Sequence, residues 1–298
     1  MLFCYFAYGF QPEEYLCFEL EGKSMEVRKS FVSDTDHMRY AFSMNDISDI
    51  QIFNDKAMTY SLFSPYYHRD IVSIDKQSDY AKFENFVKKH PTFVKKDVFE
   101  SLGRSVELVD INAVAASKKD YFNSLISKGK VILEEQVVQS EDFSVLNESS
   151  VNTVRCITFN TRHGVVAPYY FMKIGRVGSF VDNAGAGGII VGIDKDTGKL
   201  VTDGFDELNR RFETHPDSGI VLKGIQLPDW DQLNAICKEM SAKMQNVKFI
   251  GWDLAHTDQG WVVIEGNGMS QLICPQIVFK RGIKKEVEDL MKDVDLIG

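Results

Sequence analysis

Two apolar stretches near the C-terminus narrow the possible folds more than anything else in the chain. KFIGWDLAHT (248–257) and GWVVIEGN (260–267) meet at Asp258-Gln259-Gly260. Strand-like runs joined by so short a turn predict an antiparallel hairpin. Side chains two apart on a strand share a face. Glu265 and Asn267 therefore project together, and hairpin closure can bring Asp253 beside them. Two carboxylates and an amide oxygen are hard donors, suited to Mg²⁺ held jointly with phosphate oxygens. They end the apolar run Trp261, Val262, Val263, Ile264, where neighbouring carboxylates repel unless a cation compensates them. By spacing alone, the same residues also fit a solvated carboxylate and a turn asparagine.

Upstream, VNTVRCITFN (151–160), a TRHG turn and VVAPYYFMKIGR (165–176) predict a second antiparallel pair. PDWDQLNAICKEMSAKMQN (228–246) predicts the clearest helix, with Trp230, Leu233, Ile236, Cys237, Met240 and Met244 as its apolar stripe. A last helix is expected over 281–296. In the first half, helices are expected over 54–63, 79–90 and 118–128. Strands are expected at 70–74, 92–96, 105–111 and 131–139. Residues 1–50 read as helical. Their spaced aromatics, among them Phe3, Phe6, Phe10, Phe18, Met25 and Phe31, predict a packing stripe.

The chain has 298 residues, 44% of them hydrophobic, enough for about two lobes. A net charge of −9 disfavours nucleic acid and anionic membrane surfaces. Positive charge for a polyphosphate must then be gathered locally, which draws attention to Lys95, Arg155 and Lys173. The five cysteines form no CxxC pair or metal-ligand spacing, as expected of reduced thiols in a cytoplasmic protein. No apolar run reaches the ~18 residues that span a membrane. There is no GxSxG, HExxH or P-loop.

The segment GWDLAHTDQGWVVIEGN resembles the magnesium-binding end of ATP-grasp enzymes, especially those associated with sugar transfer and polysaccharide loci. The resemblance assigns Asp253, Glu265 and Asn267 to the metal. TFVKKDVFESLGRSVELV resembles the family's strand–loop–strand over the nucleotide phosphates, with Lys95 as the phosphate lysine, Lys96 as its neighbour candidate and Gly103 in the loop. VILEEQVVQSED resembles the strand passing the adenine. There Glu134, or Glu135 as its rival, begins the stretch, Val137 lies at the hinge, and Glu141 holds the ribose. Lys56 joins the expected nucleotide-binding set. SSVNTVRCITF is similar to a characteristic strand of the sugar-transfer group, giving Arg155, Lys173 and Arg176 as catalytic cations. GSFVDNAGAGGIIV and THPDSG resemble its acceptor loops, giving Asp182, Asn183, Gly187, Gly188 and His215 as substrate residues. The motifs keep the family order from about residue 35 to 275.

The resemblance implies an α+β ATP-grasp fold, two lobes gripping ATP. The expected division is a helical segment at 1–53, an N-terminal lobe at 54–137 and a C-terminal lobe at 138–298. It implies an ATP- and Mg²⁺-dependent ligase forming ADP and phosphate. A carboxylate would become an acyl phosphate, to be joined to an amine or related nucleophile. Polysaccharide, cell-envelope or secondary-metabolite biosynthesis is the expected setting, with small-molecule partners. A kinase-like phosphotransferase on the same fold, or a non-catalytic nucleotide-binding protein, are the alternatives. Oligomeric state stays open, a dimer included.

Overall fold

The computed structural model describes residues 1–98, 106–114, 117–179, 182 and 187–296. Helices α1 (Leu2–Tyr8), α2 (Pro12–Cys17), α3 (Met25–Lys29), α4 (Asp34–Met44) and α5 (Ile47–Asn54) come first. Then follow α6 (Lys56–Phe63), β1 (Ile71–Ile74), α7 (Tyr80–Lys89), β2 (Thr92–Asp97), β3 (Glu107–Asp110), α8 (Lys118–Lys128), β4 (Val131–Glu135) and α9 (Glu141–Ser144). The second half holds β5 (Thr153–Thr161), β6 (Gly164–Ile174), β7 (Ile189–Ile193), β8 (Leu200–Phe205), β9 (Arg211–Phe212) and α10 (Trp230–Ala242). It closes with β10 (Phe249–Thr257), β11 (Gly260–Asn267), α11 (Ile273–Phe279) and α12 (Lys284–Lys292). The fold is α+β with two antiparallel sheets. None of the described helices is long and apolar enough to cross a membrane.

The chain divides into two compact units, residues 51–138 and residues 1–50 with 139–298. In the smaller unit the strand order is β1-β4-β2-β3. Phe83, Phe86 and Val87 recur at helical spacing on α7 and pack with Phe122 and Leu125 of α8. Their partners across the sheet are Phe93, Val109, Val131 and Leu133. Because sides alternate along a strand, Val94, Lys96, Ile132 and Glu134 belong to the opposite face. Asp55 starts α6 by accepting from the N–H groups of Ala57 and Met58.

In the larger unit the order is β11-β10-β5-β6-β7-β8-β9. One face meets α10, whose Trp230, Leu233, Cys237 and Met240 are buried. Trp252 and Thr158 both hydrogen-bond the Ser241 hydroxyl at 2.7 Å. Each fully buried apolar side chain of this kind contributes about 1.5–3 kcal/mol. The other face carries Ile157, Tyr169, Phe171, Ile190, Phe205 and Phe249, covered by the N-terminal helices with α11 and α12.

The helices of residues 1–50 therefore belong to the larger unit rather than forming a segment of their own. Polar clamps hold them there. Buried Asn45 donates to the carbonyls of Phe249 and Gly268 and accepts from Phe249 N. Gln276 on α11 bonds both the N–H and the C=O of Val32. The expected aromatic stripe is only partly a core. Phe10, Phe18 and Phe31 are buried, but Phe3, Phe6 and Met25 are exposed. α1 has seven residues and fully buries only Cys4, with Tyr8 partly buried against the same core.

Candidate active site

The β10–β11 hairpin forms with the register Asp253↔Glu265 and Gly251↔Asn267. On its other side β10 pairs with β5, placing Arg155 opposite Asp253. Next along, β6 pairs Lys173 with Thr153. Side-chain alternation puts Thr153, Arg155, Lys173, Asp253, Glu265 and Asn267 on one face, the same face as Ile157, Phe171 and Phe249. One part of this face is thus apolar and capped by helices, while the remainder is charged.

Asp253 is the hub. It is 1% exposed, and both of its oxygens are engaged. Arg155 grips it bidentately, with Nη2 donating to Oδ2 at 2.7 Å and Nε to Oδ1. Lys173 Nζ donates to Oδ2 at 2.8 Å. Burial works against the charge, but the Arg155 and Lys173 cations hold the Asp253 carboxyl well below the usual carboxylate range. Burial likewise opposes the charges of Arg155 and Lys173, and the surrounding carboxylates more than restore them. Asp182 lies 3.6 Å from Lys173 and accepts from the Thr153 hydroxyl. Its carboxyl is pushed up, chiefly by burial. Glu265 is exposed and Asn267 half-buried at the end of β11.

Gly251 lets this cluster close. A Cβ there would lie 2.6 Å from the Ser270 Cβ and 3.1 Å from the Arg155 Cδ. Ser270 in turn accepts from Arg155 at 3.4 Å, and its carbonyl bonds His37 at 2.9 Å. The helical arm thereby sets where the chain leaves β11.

The donor set fits a hard divalent cation. Asp253, Glu265 and Asn267 offer oxygen alone, beside cations able to transfer their hold to phosphate. Both Asp253 oxygens are already held by Arg155 and Lys173. Glu265 and Asn267 offer the more accessible oxygens.

The smaller unit has a cluster of its own. Glu134 is buried on β4 and accepts from Arg69 Nη2 at 3.0 Å, Arg69 Nε at 3.3 Å and Lys96 Nζ at 2.9 Å, all on Oε2. Burial opposes its charge, and Lys96 and Arg69 hold its carboxyl low.

The remaining expected residues fall into place as follows. Lys95 lies on the α7–α8 face and pairs with Glu107 at 2.8 Å, so Lys96 and not Lys95 joins the buried cluster. Lys56 donates to the Asp97 and Val98 carbonyls, tying α6 to the end of β2. Glu135 accepts from Asp70 N and lies near His90, away from Glu134. Val137 is half-buried, and Glu141 is exposed in the first turn of α9. Arg176 forms a bidentate pair with Asp217, at 2.7 and 2.9 Å, outside the Asp253 cluster. The Arg176 bond holds Asp217 down to about 2. His215 is fully buried. One ring nitrogen meets Gly175 O and the other Ser218, so the ring staples its loop and presents no nitrogen to a substrate. Gly187, in left-handed backbone, and Gly188 lead into β7. Gly103 and Asn183 lie outside the described residues.

Sequence reasoning missed Arg69, Thr153, Gly251 and Ser270. Two carried a signal. Thr153 lies two before Arg155, and Gly251 two before Asp253, where a strand glycine marks close approach.

The profile of the sugar-transfer associated ATP-grasp family matches residues 36–292. The chain belongs to that family. Among solved structures, the D-alanine–D-alanine ligase of Coxiella burnetii superposes with a TM-score of 0.50 at 8% identity, over 84% of this chain and 59% of the ligase. That of Helicobacter pylori gives 0.51 at 11% identity, over 86% and 63%. The ATP-grasp ligase PsnB, complexed with a phosphomimetic precursor variant, Mg and ADP, gives 0.50 at 11%, over 84% and 62%. Identities this low show the ATP-grasp fold alone, and the chain spans about three fifths of each of these proteins. A search of curated proteins found no match.

Proposed function

We propose that this ATP-grasp protein is an ATP-dependent, Mg²⁺-requiring ligase that joins a carboxylate to an amine or related nucleophile. The observation carrying this reading is the shared face on which Arg155, Asp253 and Glu265 stand side by side across three strands, with Lys173 and Asn267 next to them. Glu265, Asn267 and Asp253 would hold the metal, which when bound neutralises phosphate charge. Arg155 and Lys173 would stabilise the transferring phosphoryl group. Lys96 replaces Lys95 as the phosphate lysine of the smaller unit, and Glu141 remains the ribose carboxylate.

The substrate carboxylate attacks the γ-phosphorus, the bond to the β-bridging oxygen breaks, and ADP leaves. The nucleophile then adds to the acyl carbon, and phosphate departs with the proton lost from the amine. The protein's part is positioning, charge neutralisation and exclusion of water. The ATP requirement fits a cytoplasmic enzyme, and the family's association with sugar transfer favours a surface-polymer substrate.

The test is a panel of carboxylates and amines assayed for ADP and phosphate release, with Glu265→Gln as control. We expect paired substrates to stimulate release and Glu265→Gln to abolish it while leaving the fold intact. A Glu265→Gln variant as fast as wild type would sink the metal assignment. A phosphorylated product with no ligation would identify phosphotransfer instead.

A further inference from the structure

Ser270 joins the charged cluster to the helical arm. Its hydroxyl accepts from Arg155, and its carbonyl meets His37 Nε2 at 2.9 Å. Immediately after it, residues 271–273 form one wall of a cleft of about 250 Å³. The other walls come from α2 and α4, with Glu14, Asp34 and His37 among them. Sites for drug-sized ligands measure ~300–1,000 Å³, so this cleft admits a smaller molecule.

Two groups here lack a complement. The first is a lone pair. The His37 side chain is 6% exposed. Its Nε2 faces a carbonyl, which can only accept, so Nε2 carries the proton. Burial pushes the His37 pKa down and keeps the ring neutral. Nδ1 is therefore an acceptor, and it is buried with no hydrogen-bond partner. A buried polar group left unmet costs free energy until something donates to it.

The second is negative charge. Glu14 is buried and accepts from Gln11 N at 2.8 Å and Asp34 N at 2.7 Å. Burial pushes its carboxyl up. Among the described residues, neither Glu14 nor Asp34 pairs with a lysine or arginine, and none of those lining the cleft is a lysine or arginine. The cleft is acidic and its charge is not compensated from within.

Asp34 Oδ1 stands 3.7 Å from His37 Nδ1. That is too long for a hydrogen bond between them, but one donor nitrogen can stand ~2.9 Å from both. Glu14, Asp34 and His37 do not bring their ligand atoms close enough together for a single metal ion. The complement is a cation that carries its own N–H donors.

We propose that this cleft binds a small primary ammonium. One N–H would donate to His37 Nδ1 and another to Asp34, with the Glu14 carboxylate adding negative charge nearby. This site does not depend on the ligase reading.

The probe is propylammonium chloride, titrated into the full chain carrying ¹⁵N-labelled histidine and followed by NMR. Tetramethylammonium chloride keeps the charge without N–H donors, and 1-propanol keeps the tail without the charge. The His37 Nδ1 resonance is identified by its loss in His37→Gln. We expect a saturable shift of that resonance with propylammonium and none with the other two. Asp34→Asn should weaken binding about tenfold, as loss of one charge-assisted bond requires. Gln271→Trp, which adds bulk at the cleft wall, should block it. Glu26→Gln removes an exposed acid of α3 that does not line the cleft, and should leave binding unchanged. Circular dichroism confirms that each variant is folded. A shift that does not saturate, an equal response to tetramethylammonium, indifference to Asp34→Asn, or equal weakening in Glu26→Gln would each overturn the proposal.

Discussion

Each unit buries one carboxylate under an arginine and a lysine, yet the two clusters differ in sign. Around Asp253, the cations Arg155 and Lys173 meet three acids, with Asp182 and Glu265 close by. Around Glu134, the same pair of cation types, Arg69 and Lys96, is joined by no second carboxylate in the ion pairs among the described residues. The first arrangement suits a metal ion with its anionic partner, the second an anion alone. The buried acid fixes the cations, and the neighbouring acids decide what the cluster accepts.

Asp253→Asn is the harshest way to break this contrast. It strands two buried cations, and removing one partner of a buried pair costs about 3–5 kcal/mol. Both oxygens of Asp253 are engaged, so urea unfolding should show a loss near the upper end, with ADP release abolished. Glu134→Gln removes the charge that Arg69 and Lys96 share, but the three bonds described all fall on one oxygen. The same titration should place it near the lower end of the ~3–5 kcal/mol range. It should weaken nucleotide binding without changing its Mg²⁺ dependence. If it shifted the Mg²⁺ dependence and Asp253→Asn did not, the contrast would collapse.

Acid sharpens the comparison. Both carboxyls are held below their unfolded values of about 3.9 for Asp and 4.3 for Glu. Their contribution is complete above those values and is lost as pH falls through the lowered folded ones. Wild type should lose stability on acidification below about pH 4.3, and each amide variant should show a shallower decline, followed by unfolding in urea at stepped pH.

Smaller effects follow. Gly251→Ala crowds Ser270 and Arg155, and overpacking of this kind costs about 1–3 kcal/mol. Thermal unfolding would show it, together with slower ADP release. Asp217→Asn releases Arg176 in a partly exposed pair, worth only about 0.2–1 kcal/mol. A double-mutant cycle with Arg176→Gln would measure that coupling and should leave ADP release near wild type.

Much of this architecture is legible in the sequence because its periodicities are local. The α10 stripe at Trp230, Leu233, Cys237 and Met240 and the turn at Gly260 appear where expected. The Asp253–Glu265–Asn267 face follows from alternation and one short connection. α11 escaped notice because Pro275 reads as a breaker, yet it occupies the helix's first turn, where a missing N–H is harmless. The choice between Lys95 and Lys96 could not be made from the chain. Adjacent strand residues point oppositely, and only the packing of α7 and α8 reveals which face is covered. Arg69 carried no signal, since its role depends on a strand 65 residues away.

Asn45 finds its hydrogen-bond partner in Phe249 only 204 residues further along. At ~5–20 residues per second of synthesis, the helical arm waits roughly 10–40 s for the strand that secures it. During that interval Phe10, Phe18 and Phe31 lack the part of their core that Phe249, α11 and α12 supply. A nascent chain stalled before β10 therefore offers its first fifty residues to chaperones and proteases, whatever the state of the smaller unit already made.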